Sequence, residues 1–223
     1  MSLINEVIKK DALILDCGSG KRNFIHKNLI QSEVVPYDNV DVLATNQKLP
    51  FKNNSFDLII SLDVLEHVTD PIKSSSELSR CLKNGGLLLV DIPFLQAEHG
   101  YPDHYFNASR SGMKILFKEL KSIIHLVPPS GHPFHVIWSI LRAYKNSLPP
   151  DLRQSFEKLS IGEILGKPWE YFRDHSLGQN ISQEGKWILA STTQAIFRKP
   201  GKIDNNKYIS SAFLKSLPVY KNN

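Results

Sequence analysis

Three groups of residues carry chemistry by their type and spacing. The first is Asp16-Cys17-Gly18-Ser19-Gly20, a glycine turn that follows the apolar pair Ile14-Leu15. Glycine there lets a backbone approach a ligand closely and leaves N–H groups to offer it. Asp38, in Val35-Pro36-Tyr37-Asp38, comes 22 residues after Asp16, where a second strand would end. A carboxylate at such a strand end accepts hydrogen bonds from ribose hydroxyls. Together these residues point to a nucleoside-containing ligand across the carboxyl ends of parallel strands. A dinucleotide fingerprint would require glycine at position 23, where Asn23 stands. Asp16 would also repel a diphosphate, whereas it attracts an ammonium or a sulfonium.

The second group is Asp63-x-x-Glu66-His67, and the third is His99, Asp103, His104 and Tyr105. Imidazoles at these places can act as proton acceptors. The acid-and-histidine pattern also has the outline of an oxygen/nitrogen metal site, which a further histidine such as His99 would close. Carboxylates at a helix start, facing solvent, explain the same pattern, and no metal is expected. His132-x-x-His135 has no acidic or cysteine partner nearby and reads as a turn. Cys17 lies within the glycine turn, where a thiol can be activated, but a small apolar residue packed behind the turn is the favoured reading.

Such residues need a frame to hold them. Ala12–Leu15, Phe56–Leu62 and Leu87–Ile92 are dense in Leu, Ile and Val without polar alternation. Strands covered on both faces read this way. Val34–Val35 is a shorter candidate, and Lys21–Ile30 has helical spacing. Thr69-Asp70-Pro71 offers a helix cap with proline in the first turn, and Asn84-Gly85-Gly86 offers a stop. Met113, Leu116, Phe117 and Leu120 form a helical stripe after Asn107–Ser109. Ser122–Val127, Trp187–Ala190 and Ala195–Phe197 read as late strands. The alternation predicts a doubly wound α/β sheet, mostly parallel, with right-handed crossovers. Residues 1–197 make one domain, with residues 128–186 as a helical insertion or lid before the last strand. Two helices are expected in it, the first with Val136, Ile137, Ile140, Leu141 and Tyr144 on one face.

At these residues the chain resembles class I S-adenosylmethionine-dependent methyltransferases, specifically the type 11 methyltransferase domain. Four stretches carry the resemblance in the family's order: Ile14–Gly20, Leu49–Ile60, Asp63–Pro71 and Leu78–Pro93. It implies a Rossmann-like, seven-stranded sheet and S-adenosylmethionine as cofactor. By position, Asp16, Gly18, Ser19 and Gly20 would line the methionine end, with Asp16 on the ammonium. Asp38 would hold the ribose hydroxyls, with Asn39 beside it. Thr45 and Asn46 would meet the adenine edge, and Ser61 and Leu62 would flank the sulfonium. The sequence departs from the pattern at Arg22, where a third glycine is common, and at Thr45, where an aspartate is common. A further stretch, Pro93–Arg110, resembles a subgroup associated with glycan and cell-surface polysaccharide biosynthesis.

The resemblance implies methyl transfer to a small-molecule or glycan acceptor. Most of the rate can then come from positioning. If the acceptor is a hydroxyl, a general base adds roughly 10²–10⁴-fold. His104 with Tyr105 is the preferred pair for that role, and His67 the alternative base. A methyltransferase-fold scaffold without activity and an NAD-dependent oxidoreductase are the rival readings.

Composition bounds the rest. The chain has 223 residues, is 41% apolar, and carries 27 Lys+Arg against 22 Asp+Glu. Such a chain buries roughly 70% of its unfolded surface. Two cysteines give no disulfide framework. No apolar run is long enough to span a membrane. The first residues lack the pattern of a secretory leader, so a cytoplasmic location is expected. Residues 198–223 hold six bases and one acid, Asp204, which accounts for the whole net charge of +5. A neutral domain with a basic tail gives no nucleic-acid track, and no nucleic-acid partner is expected. Oligomeric state is not encoded legibly.

Overall fold

The computed structural model describes residues 11–22, 27–100, 103–123, 127, 133–182 and 185. Five strands form its sheet: β1 (Ile14–Cys17), β2 (Leu29–Glu33), β3 (Val42–Leu43), β4 (Phe56–Leu62) and β5 (Leu82–Asp91). Their order is β3-β2-β1-β4-β5, and every neighbouring pair is parallel. The chain winds outward from β1 in one direction and then returns to add β4 on its other side. That reversal opens a crevice at the carboxyl ends of β1 and β4, the place where such sheets bind ligands.

All four residues of β1 are buried, because both faces of the sheet are covered. Alternation along the strands divides the core. Leu15, Cys17, Phe56 and Ile59 pack with Leu65, Leu78 and Phe117, while Ile14, Leu29, Leu58 and Ile60 form a second cluster.

The strand expected over Phe56–Leu62 has those bounds, and β1 begins two residues later than Ala12. The second strand differs. It runs over Leu29–Glu33, so Leu29 and Ile30 are strand and not helix, and Val34 is 61% exposed outside it. The rest of the expected helix falls partly on residues 23–26, outside the described residues. The last strand includes the glycines expected to precede it. Phe56 pairs with Leu82 and Leu58 with Leu87, so Lys83–Gly86 bulge out of register, with Gly85 at φ +79. The late strands Trp187–Ala190 and Ala195–Phe197 and the basic tail lie outside the described residues. Ser122 and Ile123 are described and are not in a strand.

Helix α1 (Pro71–Cys81) starts where proline and a cap were expected: the Asp70 carboxylate accepts from the Lys73 N–H at 2.9 Å. It buries Leu78 and Cys81. Helix α2 (Arg110–Leu116) is capped by the Ser109 hydroxyl, which accepts from Gly112 N–H at 3.1 Å. Met113, Leu116 and Leu120 pack on the core.

The chain divides into two compact units, Met1–Ser139 and Ile140–Asn223. The division falls inside α3 (Pro133–Asn146), so His135 is helical and not in a turn; His132 lies outside the described residues. The second unit carries α4 (Pro150–Glu157), α5 (Ile161–Leu165), α6 (Trp169–Asp174) and α7 (Ser176–Gln179). Among the described residues this segment thus has more helices than the expected two. Tyr144 stacks on Phe156 at 5.1 Å and donates to the Leu177 carbonyl at 3.2 Å. No helix among the described residues is long and apolar enough to cross a membrane.

Candidate active site

The glycine turn after β1 is tied to β2 through its backbone. Gly18 and Ser19 N–H both donate to the Ser32 carbonyl, at 2.8 and 3.1 Å. Gly20 N–H donates to Glu33 Oε2 at 2.9 Å. The N–H groups expected to be free for a ligand are therefore spent inside the fold. Gly18 sits at φ +81, and a Cβ there would overlap Val64, which explains the glycine.

Arg22 folds back over this turn. Its Nη2 lies 2.9 Å from Asp16 Oδ1 and 2.7 Å from the Gly18 carbonyl, and its Nε donates to the Ser19 carbonyl at 2.9 Å. Burial pushes the Asp16 carboxyl above its usual range, and the guanidinium opposes that shift. Gln31 and Asn39 secure the turn from behind, each donating to the Arg22 carbonyl at 2.9 Å.

The acid at the end of the second strand is Glu33. Asp38 lies five residues beyond it and is exposed. The expectation placed Asp38 at a strand end because Val34–Val35 looked like the strand, and the true strand ends one residue before them. Asn39 is half-buried and its amide serves the turn. Thr45 is exposed in a bridge with Lys48. Asn46 is buried: its Oδ1 accepts from the Cys17 thiol at 2.9 Å, and its Nδ2 has no partner among the described residues. Ser61, at the end of β4, is fully buried with an equally unpartnered hydroxyl; Leu62 is half-buried. Burial pushes the Cys17 thiol up to about 12, so it packs and does not attack.

A second cluster lies just after β4 and β5. Leu65–His67 form a 3-10 turn. Glu66 is fully buried, and neither carboxylate oxygen has a hydrogen-bond partner among the described residues. Helix-start carboxylates facing solvent were expected here; Glu66 instead faces inward, and burial pushes it up to about 7. His67 Nδ1 lies 2.8 Å from the Asp103 carbonyl, and its Nε2 lies 3.7 Å from Glu66 Oε1. His99 and His104 stand against it, with ring centroids 5.6 and 5.9 Å from the His67 ring. His104 Nε2 meets Asn107 Oδ1 at 2.7 Å, and its Nδ1 meets His99 Nδ1 at 3.0 Å. Tyr105 donates its phenol to Asp103 Oδ2 at 2.9 Å, and its N–H donates to the Glu66 carbonyl at 2.7 Å.

The structure thus brings His67, His99, His104 and Tyr105 together, and separately gathers Asp16, Gly18, Ser19, Gly20 and Asn39. Arg22, Glu33 and Gly100 were not singled out as site residues from the sequence. Gly100 adopts φ +95, and a Cβ on it would overlap the His67 ring. Glu33 could have been found as the acid closing Leu-Ile-Gln-Ser-Glu; nothing local marks Gly100.

Residues 15–90 match the sequence profile of a family described as "Methyltransferase domain". An uncharacterized protein of Methanocaldococcus jannaschii is 38% identical over 196 residues, which cover 81% of this chain and 78% of that protein. The ubiquinone/menaquinone biosynthesis C-methyltransferase UbiE of Pseudoalteromonas translucida is 36% identical over 94 residues, but these cover only 40% of this chain and 37% of that protein. A crystal structure of an S-adenosylmethionine-dependent methyltransferase from Aquifex aeolicus superposes with a TM-score of 0.38 at 19% identity, over 52% of this chain and 77% of that one. On the matched profile and the archaeal relative, this chain belongs to the class I S-adenosylmethionine-dependent methyltransferases.

Proposed function

We propose that the enzyme methylates a hydroxyl of a small-molecule or glycan acceptor. S-Adenosylmethionine, when bound, supplies a methyl group already activated on a sulfonium. The residues present are of the kind it needs: Asp16 is a buried acid, and Asn46 Nδ2 and Ser61 Oγ are buried polar atoms without a partner among the described residues. Asp16 takes the ammonium, and Arg22, which Asp16 now holds, is released to the neighbouring carboxylate. Glu33, in place of Asp38, takes the ribose hydroxyls. Asn46 Nδ2 is a donor left for the adenine side, and the Ser61 hydroxyl oxygen a lone pair left for the sulfonium side, with Thr45 at the adenine edge.

The imidazole cluster carries the hydroxyl reading. A hydroxyl is a far weaker nucleophile than a neutral amine and attacks well only as a base takes its proton. A carbonyl oxygen only accepts, so His67 donates Nδ1–H to Asp103 and keeps a lone pair on Nε2. The ring is 22% exposed, enough for an acceptor to reach. His104 instead spends Nε2–H on Asn107, and its Nδ1 faces His99, so it orients its neighbours. The hydrogen bond to Asp103 holds the Tyr105 phenol above its usual range, which makes it a contact and not a base. The resemblance of Pro93–Arg110 to glycan-associated methyltransferases supports a sugar among the hydroxyl acceptors.

The test is methyl transfer from isotope-labelled S-adenosylmethionine to sugars, polyols, phenols and quinols, with amines and a transfer RNA as controls. Label on an oxygen, lost in His67→Asn, is expected. Transfer confined to nitrogen, carbon or RNA would sink the acceptor reading.

A further inference from the structure

Glu66 poses a problem of charge. It is fully buried with both oxygens unpartnered among the described residues, and an isolated buried carboxylate is expensive. The nearest basic group, His67 Nε2 at 3.7 Å, is too far for a hydrogen bond. Around this carboxylate, one donor atom each of Glu66, His67 and His99 lie within 4.8 Å of one another.

The surrounding hydrogen bonds fix which nitrogens are available. His67 must donate Nδ1–H to the Asp103 carbonyl, and His99 must donate Nδ1–H to the Ala97 carbonyl at 2.9 Å. Both rings therefore carry their lone pair on Nε2. His104 is fixed in turn. The Asn107 amide donates to the Gln96 carbonyl at 3.2 Å and so presents Oδ1 to His104 Nε2–H, leaving His104 Nδ1 to accept from the His99 backbone N–H at 3.3 Å. Imidazole ligands held through their second nitrogen by backbone carbonyls are what oriented metal sites use. Gly100, without a side chain, leaves the His67 ring its place.

We infer that Glu66, His67 and His99 bind one divalent first-row transition ion, Zn²⁺ in the simplest case, with at least one coordination position open. One carboxylate and two imidazoles suit Zn²⁺ or its neighbours better than the all-oxygen preference of Mg²⁺ or Ca²⁺. Three protein ligands leave room for an oxygen from outside, the arrangement of reactive sites and not of structural ones. The inference deepens the acceptor reading, and rests on it only for which oxygen fills that position. A hydroxyl held there becomes more acidic and loses its proton to water, so the ion takes over the part assigned to the free Nε2 of His67.

The test uses the tag-free full chain, stripped with a chelator and titrated with Co²⁺ and Zn²⁺. Binding is read by calorimetry, by bound metal per chain and by the visible absorption of Co²⁺. About one equivalent is expected, with a visible spectrum of imidazole-ligated Co²⁺. Glu66→Gln and His99→Asn should weaken binding by more than the roughly 10–100-fold that outer-shell changes cost. His99 is exposed, so His99→Asn leaves the core intact. His104→Ala should keep the stoichiometry and weaken binding less. No uptake by the wild-type chain, or uptake unchanged in both ligand variants, overturns the inference. Hydroxyl methylation by a chain that binds no metal would overturn this inference alone; metal binding without any hydroxyl methylation would overturn only the acceptor reading.

Discussion

The guanidinium of Arg22 lies 2.9 Å from the carboxylate of Asp16, the group proposed to hold the cofactor ammonium. The two side chains satisfy one another across the glycine turn, and an amino-acid zwitterion can replace that single pair with two. Asp16→Asn should therefore weaken S-adenosylhomocysteine binding by about tenfold or more, from the 1.5–3 kcal/mol typical of a charged hydrogen bond. Arg22→Ala should weaken it by about tenfold at most, because the arginine is partly exposed. Calorimetry decides it; tighter binding by Arg22→Ala would show that the arginine obstructs and does not assist.

Glu33 and Asp38 make opposite predictions at the ribose. Glu33→Gln should lose cofactor affinity and also loosen the turn, since its Oε2 holds Gly20 N–H. Asp38→Asn, on an exposed side chain, should change affinity by less than about twofold. The reverse ranking, measured with the same ligand, would return the ribose to Asp38.

Gly100 sets the His67 ring. A methyl group there meets the ring and demands a strained φ. Gly100→Ala should lower kcat by on the order of 100-fold, the scale of a misplaced reacting group, while affinity for S-adenosylhomocysteine stays within about twofold. A parallel loss of both would mean that the loop supports the whole site.

Glu77 and Arg80 give a pH dependence. Arg80 donates to Glu77 Oε1 at 2.7 Å and to the Phe51 and Leu49 carbonyls, and Glu77 accepts from Leu49 N–H at 2.8 Å. The hydrogen bond from Arg80 holds Glu77 below its usual range. A carboxyl depressed on folding stabilises above its ordinary value of about 4.3 and loses that contribution as pH falls through the folded value. Wild type should thus exceed Glu77→Gln in Tm by a constant margin near neutrality, and the margin should close in acid below that ordinary value. A margin independent of pH would remove the ion pair as its cause.

Much of this was legible in the chain. Phe56–Leu62 is apolar throughout, and a strand buried on both faces is the structure that pattern permits. Asp70-Pro71 marked a helix start because the cap and the fixed φ act locally. The second strand was misread for a physical reason. Gln31 and Ser32 are polar yet 3% and 1% exposed, whereas the apolar Val34 lies outside the sheet. The Gln31 amide and the Ser32 backbone carbonyl hold the glycine turn, so burial there follows place in the sheet and not hydropathy. The imidazoles were visible singly. Their meeting around Glu66 depends on β4 and β5 being neighbours, which spacing along the chain does not give.

The parallel pairing of β1 has a consequence for how the chain folds. Ile14 pairs with Leu58 and Asp16 with Ile60, and Leu13 and Asp57 exchange hydrogen bonds across the same gap at 2.9 Å. Closing so long a loop costs entropy before any contact rewards it. During synthesis, β1 can meet β2 early, but its other edge stays bare until β4 has emerged. A chain halted before Leu62 therefore leaves β1 as an open, apolar edge ready to pair with the wrong partner.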